Sequence, residues 1–128
     1  MKIKFRAWDK ENNTRLTWEQ IKSEADFSWF ADDNLVFMQY TGLKDKNGVE
    51  IYEGDIVKIK QQDPIDKYIP NNSNNEIVYR DSAFCVKETW EISDIGWPIV
   101  AGLYYKVSEE FEVIGNIYEN PELREETE

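Results

Sequence analysis

Glu53 and Asp55 lie two residues apart, so on an extended chain their carboxylates share a face. Paired carboxylates can act as acid and base in glycoside hydrolysis. The neighbouring residues offer no further member of such a site. A folding role accounts for both: Asp55 accepts backbone N–H bonds at a bend, and Glu53 is solvated. Cys85 is the one thiol, and a nucleophilic thiol needs a base. The chain has no His, which leaves only a lysine or a carboxylate to serve. Asp45-Lys46-Asn47-Gly48 places oxygen donors at alternate positions, as a calcium loop does. An EF-hand requires Gly at its sixth position, Glu at its twelfth and helices on both sides, whereas here Gly48 is fourth and strands flank it. A turn explains the segment better. None of the glycines falls in a P-loop, Rossmann or nucleophile-elbow spacing. One Cys and no His exclude an internal disulfide and the ordinary Cys/His zinc frameworks. The sequence therefore predicts no catalytic residue, no metal and no cofactor.

The elements that would position these residues are mostly strands. At 128 residues the chain is one domain by length and long enough to bury its own core. Aromatic residues make up 14% of it, which suits sheets better than a helical bundle. Ile3, Phe5 and Ala7 alternate with Lys2, Lys4 and Arg6, predicting a first strand with one buried and one wet face. Thr17-Trp18-Glu19-Gln20 has capping-box spacing and predicts a short helix over 18–24. Phe27, Trp29 and Phe30 predict a segment docked on the core. Residues 35–41 form a strand with apolar character on both faces. Asp45 to Gly48 fits a type I turn with a bulge, or Asn47-Gly48 a type I′ turn, so the chain reverses there either way. After the bend at Glu53-Gly54, Val57 and Ile59 share one face of the next strand and Lys58 and Lys60 the other.

Residues 61–75, with Pro64, Pro70 and four Asn, read as a long loop. Strands follow over 77–80 and 84–92, then a short one over 103–107. In the second of these, Phe84, Val86, Trp90 and Ile92 share a face. A last strand holds Phe111, Val113, Gly115 and Ile117, with Gly115 at a bulge or a close approach of backbones. Residues 120–128 read as a flexible acidic tail. The fold class is mainly β: a small SH3-like barrel or a strongly bent antiparallel sheet, with one short helix and inserted loops.

The central hairpin also carries a family likeness. Gln39-Tyr40-Thr41-Gly42-Leu43-Lys44-Asp45, Asn47-Gly48 and Ile51-Tyr52-Glu53-Gly54-Asp55-Ile56-Val57 resemble the signature of the YopX family of phage and prophage proteins. Phe5-Arg6-Ala7-Trp8-Asp9 is similar to the family's opening motif. Val113-Ile114-Gly115-Asn116-Ile117-Tyr118-Glu119-Asn120-Pro121-Glu122-Leu123 is similar to its closing one. The three bracket most of the chain, while 61–110 matches no motif. The resemblance implies a small, mostly β, intracellular phage protein without an assigned activity and with no catalytic residues to transfer.

The net charge is −11, of which residues 107–128 hold eight acidic groups against Arg124 alone. A solvated end that favours solubility explains most of that excess. No apolar run reaches membrane-spanning length and the first residues lack a signal-peptide core, so the expected compartment is the cytoplasm, which the family resemblance implies is that of a bacterial host, with no membrane partner. If the first strand pairs beside 55–60, then Lys2, Lys4, Arg6, Lys58 and Lys60 form a basic patch, with Trp8 as a stacking surface for nucleic acid. The overall charge disfavours that partner. The leading expectation is a non-enzymatic accessory protein binding a phage or host protein through exposed aromatics or the 61–75 loop. An acidic mimic of DNA is the alternative. Gln39, Tyr40, Glu53, Lys58, Lys60 and Trp8 are the candidate interaction residues, and a homo-oligomer is a further way to cover the two-faced strand over 35–41.

Overall fold

The computed structural model describes residues 3–60, 73–80, 83–86, 97–98 and 107–125. They form β1 (Phe5–Asp9), β2 (Thr14–Leu16), α1 (Trp18–Glu24), α2 (Phe27–Phe30), β3 (Leu35–Lys44), β4 (Glu50–Tyr52) and β5 (Asp55–Ile59). Then come β6 (Ser73–Arg80), β7 (Ala83–Val86), β8 (Trp97–Pro98), α3 (Val107–Glu110), β9 (Phe111–Asn116) and α4 (Glu122–Glu125). The protein is mainly β, with two antiparallel sheets, a strongly curled half-barrel and short helices. The sheets run β2-β1-β3-β4 and β8-β7-β6-β5-β9. The bent-sheet expectation therefore describes it better than a closed barrel, and the described residues hold four short helices where one was expected.

Local signals place several elements. Thr17 caps α1 through the reciprocal box with Gln20, and Ile21 is the residue α1 buries. At the hairpin, Gly48 N–H donates to Asp45 O at 3.0 Å and Gly48 sits at φ +79°, the bulged form of the turn. In β9 the pairing with β5 skips from Gly115 to Val113, so the extra residue is accommodated there as a bulge. A Cβ on Gly115 would lie 2.5 Å from Asn120 Oδ1, the close approach that glycine permits.

Polar contacts stitch the sheets together. The Asp45 carboxylate accepts from Asn47 N and Val49 N within its own turn and from Val113 N of β9, at 2.8–2.9 Å. Lys46 N donates to Phe111 O. At the bend, Gly54 adopts φ +88°, donates to Ile77 O and accepts from Ile117 N. A hydrophobic cluster of Ile51, Val57, Ile59, Ile77, Val86 and Phe111 lies beneath these clamps, with Leu43 and Val113 against it.

Four expectations change. β1 has no wet face of the kind its alternation suggests: Arg6, Ala7 and Trp8 are all buried, while Ile3 is exposed. The reason is that β1 lies between β2 and β3, with Phe5 against Trp18 of α1 on one side and Trp8 against Tyr118 on the other. Ser73 to Asn75, placed in a loop by composition, belong to β6 and pair with β5, because sheet pairing outweighs the low strand propensity of Asn. Val107 begins a helical turn where a strand was expected to end. Of the aromatics expected to dock on the core, Phe27 does not, Phe30 reaches the sheet only by stacking on Phe37, and Trp29 is half-buried. Residues 61–72 of the expected loop, 87–92 of the expected strand, 103–106 and 126–128 lie outside the described residues, and 122–125 form one helical turn. Cys85 is buried in β7 with its thiol donating to Ala83 O at 3.6 Å. The two faces of β3 find cover within the chain: Phe37 stacks on Phe30, and Met38 packs against Gly54.

Candidate interaction surface

Two regions stand apart chemically, a polar cleft at the junction of the sheets and an aromatic ridge on α2. The cleft holds about 360 Å3 and is lined chiefly by Arg6, Arg15, Trp18, Tyr52, Asp55 and Glu119. Arg6 comes from β1 and Asp55 from β5, 49 residues on, and their side chains meet at 2.6 Å. Asp55 is 1% exposed, and its second oxygen accepts Tyr52 N at 2.7 Å, so the expected capping role is present together with an ion pair. The Arg6 guanidinium lies 4.8 Å from the Tyr52 ring centroid. Burial pushes the Asp55 carboxyl above its ordinary range, against the opposing pull of Arg6 and the Tyr52 N–H.

At the rim, Arg15 holds Glu119 at 2.8 Å and draws its carboxyl below the usual range, with help from the Asn116 amide. Lys4 pairs with Glu50, and that hydrogen bond raises the lysine's pKa. The cations of the cleft and its edge are thus each committed to a carboxylate of this chain. Arg6 Nε has no hydrogen-bond partner, but it is shielded from solvent, so a molecule in the cleft would not reach it. Asp55 faces this cleft while Glu53 lines a separate small pocket beside Met38 and Gly54. The two carboxylates therefore do not converge on one space, which removes the acid–base pair considered above. Among the described residues, no group of three His, Cys, Asp or Glu is placed to hold a metal ion, and no helix is long and apolar enough to cross a membrane.

The residues singled out by sequence scatter. Trp8 is 6% exposed and stacks on Tyr118 at 6.0 Å, so it is not available as a stacking surface. Tyr40 is buried against Tyr52 with the Lys4 ammonium over its ring. Gln39 and Glu53 are brought together across the β3–β4 hairpin, where Glu53 N donates to Gln39 O at 2.9 Å. Lys58 and Lys60 lie on or just after β5, half-buried and exposed respectively. The basic patch required β1 beside β5; β1 instead pairs with β2 and β3, and Arg6 and Lys4 are paired with acids. Among the described residues that patch is not assembled, and Lys2 lies outside them.

The ridge has the opposite character. Asp26 caps α2 by accepting Ser28 N at 2.8 Å, and Ser28 bonds to it again, so its carboxyl is held below the usual range. The following turn is pinned through Asn34, whose amide donates to Asp9 and whose oxygens accept Lys10 N and Glu11 N. On this tied-down frame Phe27 is 93% exposed and Phe30 64% exposed, the latter stacked on Phe37 at 4.9 Å. Apolar spacing alone assigns these aromatics to the core. The missed signal is Asp26: an N-cap immediately before Phe27 fixes a helix there, too short to bury all of its aromatics.

Comparison with known proteins gives a consistent likeness. The sequence profile of the family described as YopX protein matches residues 4–125. A crystal structure of protein EF1440 from Enterococcus faecalis is similar at 33% identity and TM-score 0.62, covering 97% of this chain and 99% of that one. The structure of protein yopX from Bacillus subtilis shares the fold at 20% identity and TM-score 0.53, covering 94% and 96%. No curated protein matches the sequence.

Proposed function

The chain belongs to the YopX family, and on that premise we propose that it is a non-enzymatic phage or prophage accessory protein that binds another protein through the α2 ridge. The observation that carries this reading is Phe27, 93% exposed on a capped and pinned helix. An aromatic side chain left in water on a rigid frame gains about 1.5–3 kcal/mol when a partner covers it. Little ordering entropy offsets that gain, because the frame is already fixed. The cleft supports the non-enzymatic part, since its ionisable groups are committed to one another.

Capture from a lysate of phage-carrying bacteria on immobilised wild type and on Phe27→Ser tests the reading. A protein enriched on the wild type and lost on the variant is the expected result. Identical captured sets would contradict it.

A further inference from the structure

The ridge is apolar at Phe27 and Phe30, and the sequence flanking them is acidic. From Ser23 to Leu43 the sequence carries Glu24, Asp26, Asp32 and Asp33 and no lysine or arginine; of the basic residues adjoining it, Lys22 pairs with Glu19 and Lys10 donates its backbone N–H to Asn34 O. All four acids are exposed, and none pairs with a cation among the described residues. Asp26 and Asp32 have local backbone roles, accepting Ser28 N and Asn34 N, whereas Glu24 and Asp33 make no such bond. Folding therefore explains two of the four charges.

We propose that the ridge takes a cationic amphipathic segment of another protein: apolar side chains that cover Phe27 and Phe30, flanked by lysine or arginine that meet the four carboxylates. The inference rests on the protein-binding reading above and names the chemistry of its partner. Charge decides between occupants. Nucleic acid and anionic membrane would set phosphate against four carboxylates, and an isologous second copy would set four carboxylates against four, each a like-charge juxtaposition that opposes docking. A cationic segment gains in both respects, since the net charge of −11 also speeds its approach.

Two experiments test this. A synthetic amphipathic helix of leucine and lysine, titrated against the folded protein, is expected to bind. Binding should fall about tenfold on Phe27→Ser, as for loss of one aromatic anchor, and should also fall on Glu24→Lys/Asp33→Lys and with added salt. Neither variant touches the α2 cap. Equal binding to wild type and Phe27→Ser, or equal binding of the same helix with glutamate in place of lysine, overturns the proposal. The second experiment places a photo-reactive phenylalanine analogue at position 27 in the full chain and sequences the adduct formed in lysate. A crosslinked segment rich in lysine and arginine supports the proposal. A neutral or acidic segment overturns it and leaves the protein-binding reading standing; a specific nucleic-acid, lipid or self adduct overturns both.

Discussion

The sheet junction and the α2 ridge invert the ordinary distribution of polarity. At the junction, Asp45 and Asp55 are almost wholly buried, and at the ridge Phe27 lies almost wholly in water. Each buried carboxylate is accounted for by internal partners: Asp45 satisfies three backbone N–H groups and Asp55 satisfies Arg6 and Tyr52. The exposed phenylalanine has no such account. A buried polar group that is fully engaged belongs to the fold, whereas a rigid apolar group left in water is available for an interface. The difference assigns stability to one region and leaves the other free for the recognition role proposed above.

Substitutions at the junction should therefore be severe. Asp55→Ala strands Arg6 in the interior and should cost about 3–5 kcal/mol, measured by urea unfolding. Combining Arg6→Met with Asp55→Leu should recover part of that loss, and failure to recover any would break the picture of an ion pair as the junction's pin. Asp45→Ala should cost about 3 kcal/mol by orphaning the N–H groups of Asn47, Val49 and Val113. Gly54→Ala should cost about 1–2 kcal/mol, since it forces a left-handed conformation on an L residue and sets a Cβ 3.1 Å from Met38 Sδ. A neutral result at Gly54 would mean that the bend relaxes freely.

The smallest effect is one of pH and runs in opposite directions in the two kinds of site. Glu119, Asp9 and Asp26 have lowered pKa values, from Arg15, from the Asn12 and Asn34 amides, and from Ser28 respectively. Their contribution is present above about pH 4, the unfolded carboxylate range, and is lost as pH falls through the folded values. Asp55 is raised, so its contribution is full below the unfolded value and is lost as pH rises through the folded one. Arg15→Gln should accordingly flatten the acid limb of the stability profile, read from urea midpoints at successive pH values. An unchanged limb would remove Glu119 from the account.

What could be read from sequence divides along the same line. The Thr17–Gln20 box, the Asp45 turn, the bend at Gly54 and the β9 bulge were legible because each is decided within a few residues. The Arg6–Asp55 pair was not, because 49 residues separate its members and only the sheet order brings them together. For the same reason β1 looked half-wet: alternation reports the residues of one strand and says nothing of what Tyr118 and Asp55 will cover. The exposure of Phe27 was hidden differently, because aromatic spacing in a helical turn reads as core whichever way the turn faces. Asn74 and Asn75 read as loop because propensity is local, whereas β5 supplied the pairing that makes them strand.

The central claim is that Phe27, unlike Phe30 with its stack on Phe37, is surplus to folding. Urea unfolding of Phe27→Ser beside the wild type tests it most directly: an unfolding free energy unchanged within about 0.5 kcal/mol is the predicted result for an exposed side chain without a structural role. A loss of about 2 kcal/mol, the size expected for a packed aromatic, would show that Phe27 is spoken for within the fold and would contradict the account.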